Sequence, residues 1–159
     1  TAFTVQIYLK LAEGREKLPN AVLQEDTVSL NRLAKTSYDG IRVLLVEDNE
    51  LNTEIACELL SSAGIQVETA ADGQKAVDTV KSHPAYYYSL IFMDIQMPVK
   101  NGYETAREIR SIGREDLKQI PIIAMSADAF TDDVKRALDA GMNDHVAKPI
   151  ERSKNLYLL

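Results

Sequence analysis

The sequence predicts an α/β fold: a doubly wound sheet of five parallel strands with helices on both faces. Three observations predict it. From residue 41 onward, short runs rich in β-formers alternate with amphipathic stretches, the pattern of repeated βαβ units. The first, third and fourth of these runs are nearly unbroken Val, Leu, Ile, Phe and Met, as central parallel strands covered on both faces should be. Gly64, Gly113 and Gly141 stand just past the amphipathic stretches, where helices commonly end in a left-handed residue.

Residues 41–46 form the first strand, and Asn49 then caps a helix whose stripe is Leu51, Ile55, Leu59 and Ala63. The second strand, residues 66–70, is followed by Asp72-Gly73 and a helix carrying Ala76, Val77 and Val80. Residues 89–93 are the third and most apolar strand, and Asn101-Gly102 opens a helix with Tyr103, Ala106, Ile109 and Arg110 on one side. The fourth strand spans 121–125, its helix follows Thr131 with Val134, Ala137 and Leu138, and the fifth strand spans 144–147. Residues 150–159 should be the last covering helix, although their apolar members cluster at the end, which predicts a short or poorly packed element. Residues 1–12 read differently. Phe3, Val5, Ile7, Leu9 and Leu11 alternate with polar residues, as in a half-buried strand without its own sheet, and residues 13–40 read as a linker with a short helix near 28–34.

Composition bounds the function. The chain has 159 residues, 45% of them apolar and 26% charged, enough for one well-buried core. Residues 1–40 are charge-balanced, so the net charge of −6 belongs to residues 41–159, and an acidic surface argues against direct nucleic-acid contacts. One cysteine, Cys57, permits neither a disulfide nor a cysteine zinc site and suits a reducing cytoplasm. No apolar run approaches the ~20 residues a membrane span needs, so no membrane contact is expected of this fragment. The Thr1 start reads as a piece cut from something larger.

In an open parallel sheet, ligands bind where the carboxyl ends of the strands converge. There the sequence places Glu47 and Asp48 after strand one, Asp94 at the end of strand three, Ser126 at the end of strand four and Lys148 after strand five. Three carboxylates in one cleft repel unless a cation intervenes. An all-oxygen site without Cys or His at the strand ends suits Mg²⁺ better than zinc. Two charges from the metal and one from Lys148 would then balance Glu47, Asp48 and Asp94. Such a site would accept a phosphoryl group. Asp94 is the candidate nucleophile, held by the buried Leu90-Ile91-Phe92-Met93 run, while Ser126 donates to a phosphoryl oxygen and Lys148 bridges phosphoryl and carboxylate.

Val46-Glu47-Asp48-Asn49, Met93-Asp94-Ile95-Gln96-Met97-Pro98, Ala124-Met125-Ser126-Ala127 and Ala147-Lys148-Pro149-Ile150, in that order, closely resemble the receiver domain of two-component response regulators. The resemblance covers about residues 41–150. It implies a flavodoxin-like, chemotaxis-regulator-like sheet of strand order 2-1-3-4-5. It implies that Asp94 takes phosphate from a phosphohistidine. Asp48, Asp94 and the Gln96 carbonyl would bind Mg²⁺ directly, with Glu47 acting through water, and Ser126 and Lys148 would read the phosphoryl group. The family's switch position, usually Tyr or Phe, is His145 here. The run Glu47-Asp48-Asn49-Glu50-Leu51-Asn52 looks most like receivers fused to hybrid sensor histidine kinases, and residues 1–12 are similar to the closing strand of the kinase ATP-binding domain. The implied division is 1–12, end of a kinase domain; 13–40, linker; 41–159, receiver. The implied partners are a histidine kinase domain or a histidine phosphotransfer protein, with a phosphorylation-dependent dimer as a further option.

Each residue has a plainer reading. Glu47 and Asp48 could cap the following helix, Asp94 could be a loop carboxylate, Ser126 a turn hydroxyl and Lys148 a solvated charge. Their joint placement after strands of one sheet is what argues otherwise. His83, Cys57, the run Tyr86-Tyr87-Tyr88 and the four methionines read as surface or packing groups. Two other functions stay open. An aspartyl-phosphate phosphatase would normally want a second carboxylate where Gln96 stands; a degenerate receiver would only dock a partner and would need no metal. Whether the domain's own phosphorylation and dephosphorylation make it an enzyme is left open.

Overall fold

A computed structural model describes Tyr38, residues 40–127 and residues 131–148. The chain runs β1 (Arg42–Val46), α1 (Glu50–Ser62), β2 (Gln66–Ala70), α2 (Gly73–Ser82), β3 (Leu90–Asp94), α3 (Gly102–Ser111), α4 (Glu115–Gln119), β4 (Ile122–Ser126), α5 (Thr131–Asp139) and β5 (Asp144–Ala147). The strands form one parallel sheet of order β2-β1-β3-β4-β5, the flavodoxin-like order that the resemblance implies. The expected strand, linker and short helix of residues 1–37 lie outside the described residues, as does the expected final helix over 150–159.

The near-continuous apolar strands follow from burial on two faces. Leu44, Val46, Ile91, Met93, Ile122 and Ala124 pack against Val77 and Val80 of α2, Ile109 of α3 and Ala137 of α5. The alternate residues Val43, Leu45, Phe92, Ile123 and Met125 pack against Ala56 and Leu60 of α1. Edge strand β2 is half exposed, which its mixed sequence Gln-Val-Glu-Thr-Ala anticipates. The helices begin at the expected caps: Asn49 accepts from the Asn52 amide, Asp72 from that of Lys75, and Asn101 and Glu104 form a reciprocal capping box. Gly64, Gly113 and Gly141 adopt the left-handed conformation expected past helix ends.

Four expectations need correction. The Leu51-Ile55-Leu59-Ala63 stripe is not the buried face of α1: Leu51 is 65% and Ile55 45% exposed, while Ala56 and Leu60 are buried. This helix is apolar on more than one side, and the sheet selects the face whose small and large residues interlock with β1 and β3. Leu138, expected in the stripe of the helix after Thr131, is likewise exposed, and Ala137 takes the core position. Strands β3 and β4 sit one residue later than read, so Asp94 and Ser126 belong to the ladder itself, opposite Met125 and Ala147. Finally, α4 was not anticipated. At five residues it has too few turns for a periodic pattern, and it is held from outside. Arg114 pairs with buried Asp116 at 2.6 Å and donates to the carbonyls of Val80, His83 and Pro84, while Asp116 accepts from the Tyr86 amide.

Candidate functional site

Parallel register decides what meets at the carboxyl edge of the sheet. Val46 lies opposite Met93, Asp94 opposite Met125 and Ser126 opposite Ala147, so the residues that end or follow β1, β3, β4 and β5 share one rim. Asp94 is 2% and Glu47 5% exposed, whereas Asp48 is exposed. Carboxylate oxygens of Glu47, Asp48 and Asp94 all lie within 4.8 Å of one another.

Lys148 joins two of them. Its Nζ lies 2.6 Å from Asp94 Oδ2 and 2.7 Å from Glu47 Oε2, and its backbone amide donates to the Ser126 carbonyl at 2.7 Å. The remaining oxygens are held as well. Asp94 Oδ1 accepts from the Gln96 amide at 3.0 Å, and Glu47 Oε1 accepts from Asn52 Nδ2 at 3.0 Å. The caps read as possible for Glu47 and Asp48 are therefore not the cap of α1, which is Asn49.

The loop after β3 returns tightly onto Asp94. Gly102 donates its amide to the Ile95 carbonyl, and a Cβ at Gly102 would stand 2.2 Å from the Asp94 carbonyl oxygen. Glycine is required there by contact rather than by backbone conformation. Pro98 and Val99 are both exposed, and Val99 turns the loop with a φ of 68°.

Burial raises the Asp94 carboxyl above the ordinary carboxylate range, against the lowering effects of the Lys148 and Gln96 hydrogen bonds and the Lys148 charge; Glu47 raises it further. Burial works to depress the Lys148 ammonium, but its bonds to Asp94 and Glu47 and their charges together outweigh it, so it lies above its ordinary value. The amine is therefore fully charged and the cluster keeps an excess of negative charge. An all-oxygen donor set of three carboxylates beside one ammonium fits a hard divalent cation.

Every residue expected at the strand ends is thus on this rim, with Gln96 reaching it through its backbone. His145 is half buried on β5, and its Nε2 lies 2.6 Å from Ser126 Oγ. Two contributors carried no functional assignment from the sequence. Asn52 orients Glu47 from the first turn of α1, and its place three residues after the Asn49 cap was the available signal. Tyr103 donates to Asp133 across α3 and α5 at 3.3 Å, which no local pattern encodes.

Comparison with known proteins agrees with this geometry. A model of the response regulator receiver domain matches residues 43–157. Probable histidine kinase 2 of Oryza sativa subsp. indica is 41% identical over 127 residues, covering 73% of this chain; the chain spans only 12% of that protein's length. Among solved structures, the receiver domain of a Pseudomonas aeruginosa sensor histidine kinase, with magnesium coordinated in its active-site cleft, is 41% identical with a TM-score of 0.63, covering 72% of this chain and 89% of that one. The receiver domain of the Saccharomyces cerevisiae response regulator Ssk1, in complex with the histidine phosphotransfer protein Ypd1, is 34% identical with a TM-score of 0.65, covering 73% and 83%. The sheet order, the acidic rim and these matches together make the chain a member of the response regulator receiver domain family, the receiver of two-component phosphorelay signalling.

Proposed function

We propose that Asp94 is the phosphoacceptor of this receiver, taking a phosphoryl group from a phosphohistidine in a reaction that needs Mg²⁺. The observation that carries this reading is the buried Asp94 carboxylate, fixed at both oxygens, inside a cluster of three carboxylates bridged by Lys148. Glu47, Asp48, Asp94 and the Gln96 carbonyl would hold the cation, which would neutralise phosphoryl oxygens during transfer. Asp94 supplies the attacking oxygen; a P–O bond forms, the P–N bond of the donor breaks, and the imidazole leaves. Lys148 then turns part of its hydrogen bonding from Asp94 to the transferred group, and Ser126 supplies a hydroxyl from the neighbouring strand end. Attack of water on the acyl phosphate breaks its P–O bond to Asp94, releases inorganic phosphate and restores the carboxylate.

The parent protein is read as a hybrid sensor histidine kinase, with residues 1–12 closing its kinase domain, 13–40 as linker and 41–159 as the receiver. A cytoplasmic setting follows from that reading. The donor is the attached kinase or a histidine phosphotransfer protein. Leu51 and Ile55 support a protein donor: they expose apolar surface on α1, and a cleft lined by Ile55, Asn52, Glu47 and Lys148 joins that surface to the site. The phosphatase alternative is disfavoured because the exposed Gln96, not a carboxylate, stands two residues after Asp94. A docking-only receiver is disfavoured by the complete set of charged groups on one rim.

Incubation with Mg²⁺ and acetyl phosphate tests the assignment by intact mass and site mapping. One phosphate on Asp94, lost in Asp94→Asn and in excess chelator, is the expected result. Undiminished labelling of Asp94→Asn, or labelling without metal, would overturn it.

A further inference from the structure

Gln96, whose carbonyl would hold the cation, sits in the short turn between β3 and α3. The Gly102 amide closes that turn on the Ile95 carbonyl at 3.0 Å, and the Lys100 amide donates to the Pro98 carbonyl at 2.7 Å. Val99, between them, is 88% exposed and has a φ of 68°. A β-branched residue takes that conformation only where its surroundings impose it. An exposed valine side chain does not impose it, so the constraint comes from the residues beside it.

Lys100 is the next residue, and its ammonium leaves the turn to lie between two helices. It donates to Glu108 Oε2 of α3 and, at 2.7 Å, to Gln74 Oε1 of α2. The Lys100 side chain is only 19% exposed. Both acceptors are held in turn: Gln74 donates to Asp78 at 3.1 Å, and Glu108 Oε1 lies 3.6 Å from Lys81 Nζ. The Lys100 hydrogen bond is the main cause that holds the Glu108 carboxyl below its ordinary range. The Lys100 backbone is fixed at the same place. A Cβ at Gly73 would stand 2.7 Å from the Lys100 carbonyl oxygen and 2.0 Å from Thr105 Oγ1, so the start of α2 meets the turn directly.

We propose that Lys100 is a positioning residue for the cation: clamped between Gln74 and Glu108, it holds the 95–102 turn in the shape from which the Gln96 carbonyl serves as a ligand. The inference rests on the reading of Gln96 as a ligand of Mg²⁺. That ion accepts little departure from octahedral geometry, so a carbonyl on a loosened turn binds it less well. The sign separates this role from the general field of the site. Removing a positive charge near an acidic cluster favours a cation by Coulomb attraction alone, whereas releasing the clamp weakens binding.

Mg²⁺ alone is titrated into the full chain and followed by amide NMR shifts. Lys100→Met should bind it roughly tenfold more weakly, as when a group that orients a metal ligand is lost. Gln74→Ala removes one neutral acceptor at an exposed position and changes no charge; it should weaken binding about threefold. Lys81→Met takes a positive charge from Glu108 without touching the turn, and should not weaken binding. In chelator, the Gly102 amide should exchange faster in Lys100→Met and Gln74→Ala than in the wild type or Lys81→Met, while the β3 amides keep wild-type rates. Mg²⁺ binding that is unchanged or tighter in Lys100→Met and Gln74→Ala overturns the role of Lys100 and leaves the acidic site in place. Equal weakening by Lys81→Met, or weakening without faster Gly102 exchange, does the same, because the effect would then belong to the packing of α2 on α3. Failure of the wild type to bind Mg²⁺ overturns the cation site and this inference with it.

Discussion

Replacing Lys148 with Met removes the ammonium that bridges Asp94 and Glu47 and leaves two carboxylates, each with a side chain only 3% exposed, facing one another. Methionine keeps most of the aliphatic stem, so the substitution isolates the charge. Stranding buried charges by removing a partner costs about 3–5 kcal/mol. Lys148 itself is 19% exposed and some water reaches the pair, so the lower part of that range, about 3 kcal/mol, applies here. At roughly 2–4 °C per kcal/mol for a chain of this size, melting should fall by about 6–12 °C in chelator at pH 7. Two controls give the prediction its sign. Mg²⁺ should restore more stability to Lys148→Met than to the wild type, because a bound cation replaces the lost charge. Lys148→Met combined with Asp94→Asn should be less destabilised than Lys148→Met alone, since one of the repelling carboxylates has gone. Urea or thermal unfolding of the wild type, Lys148→Met and the double variant, with and without Mg²⁺, makes the measurement. If Lys148→Met melts with the wild type in chelator, and the metal stabilises both equally, then the buried-charge reasoning for the site is wrong.

Gly102→Ala should displace the loop from Asp94, because its methyl would meet the Asp94 carbonyl oxygen at 2.2 Å; a loss of about 1–3 kcal/mol in urea unfolding and slower acetyl phosphate labelling are expected. Asp116→Asn should remove the charge that Arg114 holds. The Arg114 hydrogen bond draws this carboxyl from 3.8 down to about 2. A lowered folded-state pKa means that the contribution is present above the unfolded value and lost as pH falls through the folded one. The variant should therefore be less stable by roughly 1–3 kcal/mol at pH 7, with the difference closing between pH 4 and pH 2 in acid titrations followed by circular dichroism. Ile55→Asp, on the exposed side of α1, should slow phosphotransfer from a histidine phosphotransfer protein about tenfold or more while leaving acetyl phosphate labelling unchanged. Equal slowing with both donors would refute a docking role.

Much of the site was legible in the chain because the chemistry falls at strand ends. Asp94 closes Leu90-Ile91-Phe92-Met93, and Ser126 closes Ile122-Ile123-Ala124-Met125; a run buried on both faces carries no polar residue without reason, so the first polar residue marks the rim. The caps Asn49, Asp72 and Asn101 were legible for a similar reason, since each acts on an amide three residues away. The buried face of α1 was not. Leu51, Ile55, Leu59 and Ala63 make a credible stripe, yet the choice between it and Ala56 with Leu60 depends on the side chains of β1 and β3 that meet the helix. Neither was α4, whose stability comes from Arg114 reaching carbonyls of Val80, His83 and Pro84, some thirty positions earlier.

The amino-acid order alone determined the parallel α/β architecture and the residue types gathered at its carboxyl edge, because hydrophobic period, turn residues and caps are local and repeat along the chain. Only the tertiary structure decided that Lys148 bridges Asp94 and Glu47 rather than facing solvent, that Asn52 steadies Glu47, and that His145 reaches Ser126. Those contacts depend on strand register and on which rotamer survives close packing. Hydrogen bonds of less than about 3 Å require that register to be right to a fraction of a residue, and no pattern within one segment carries that information.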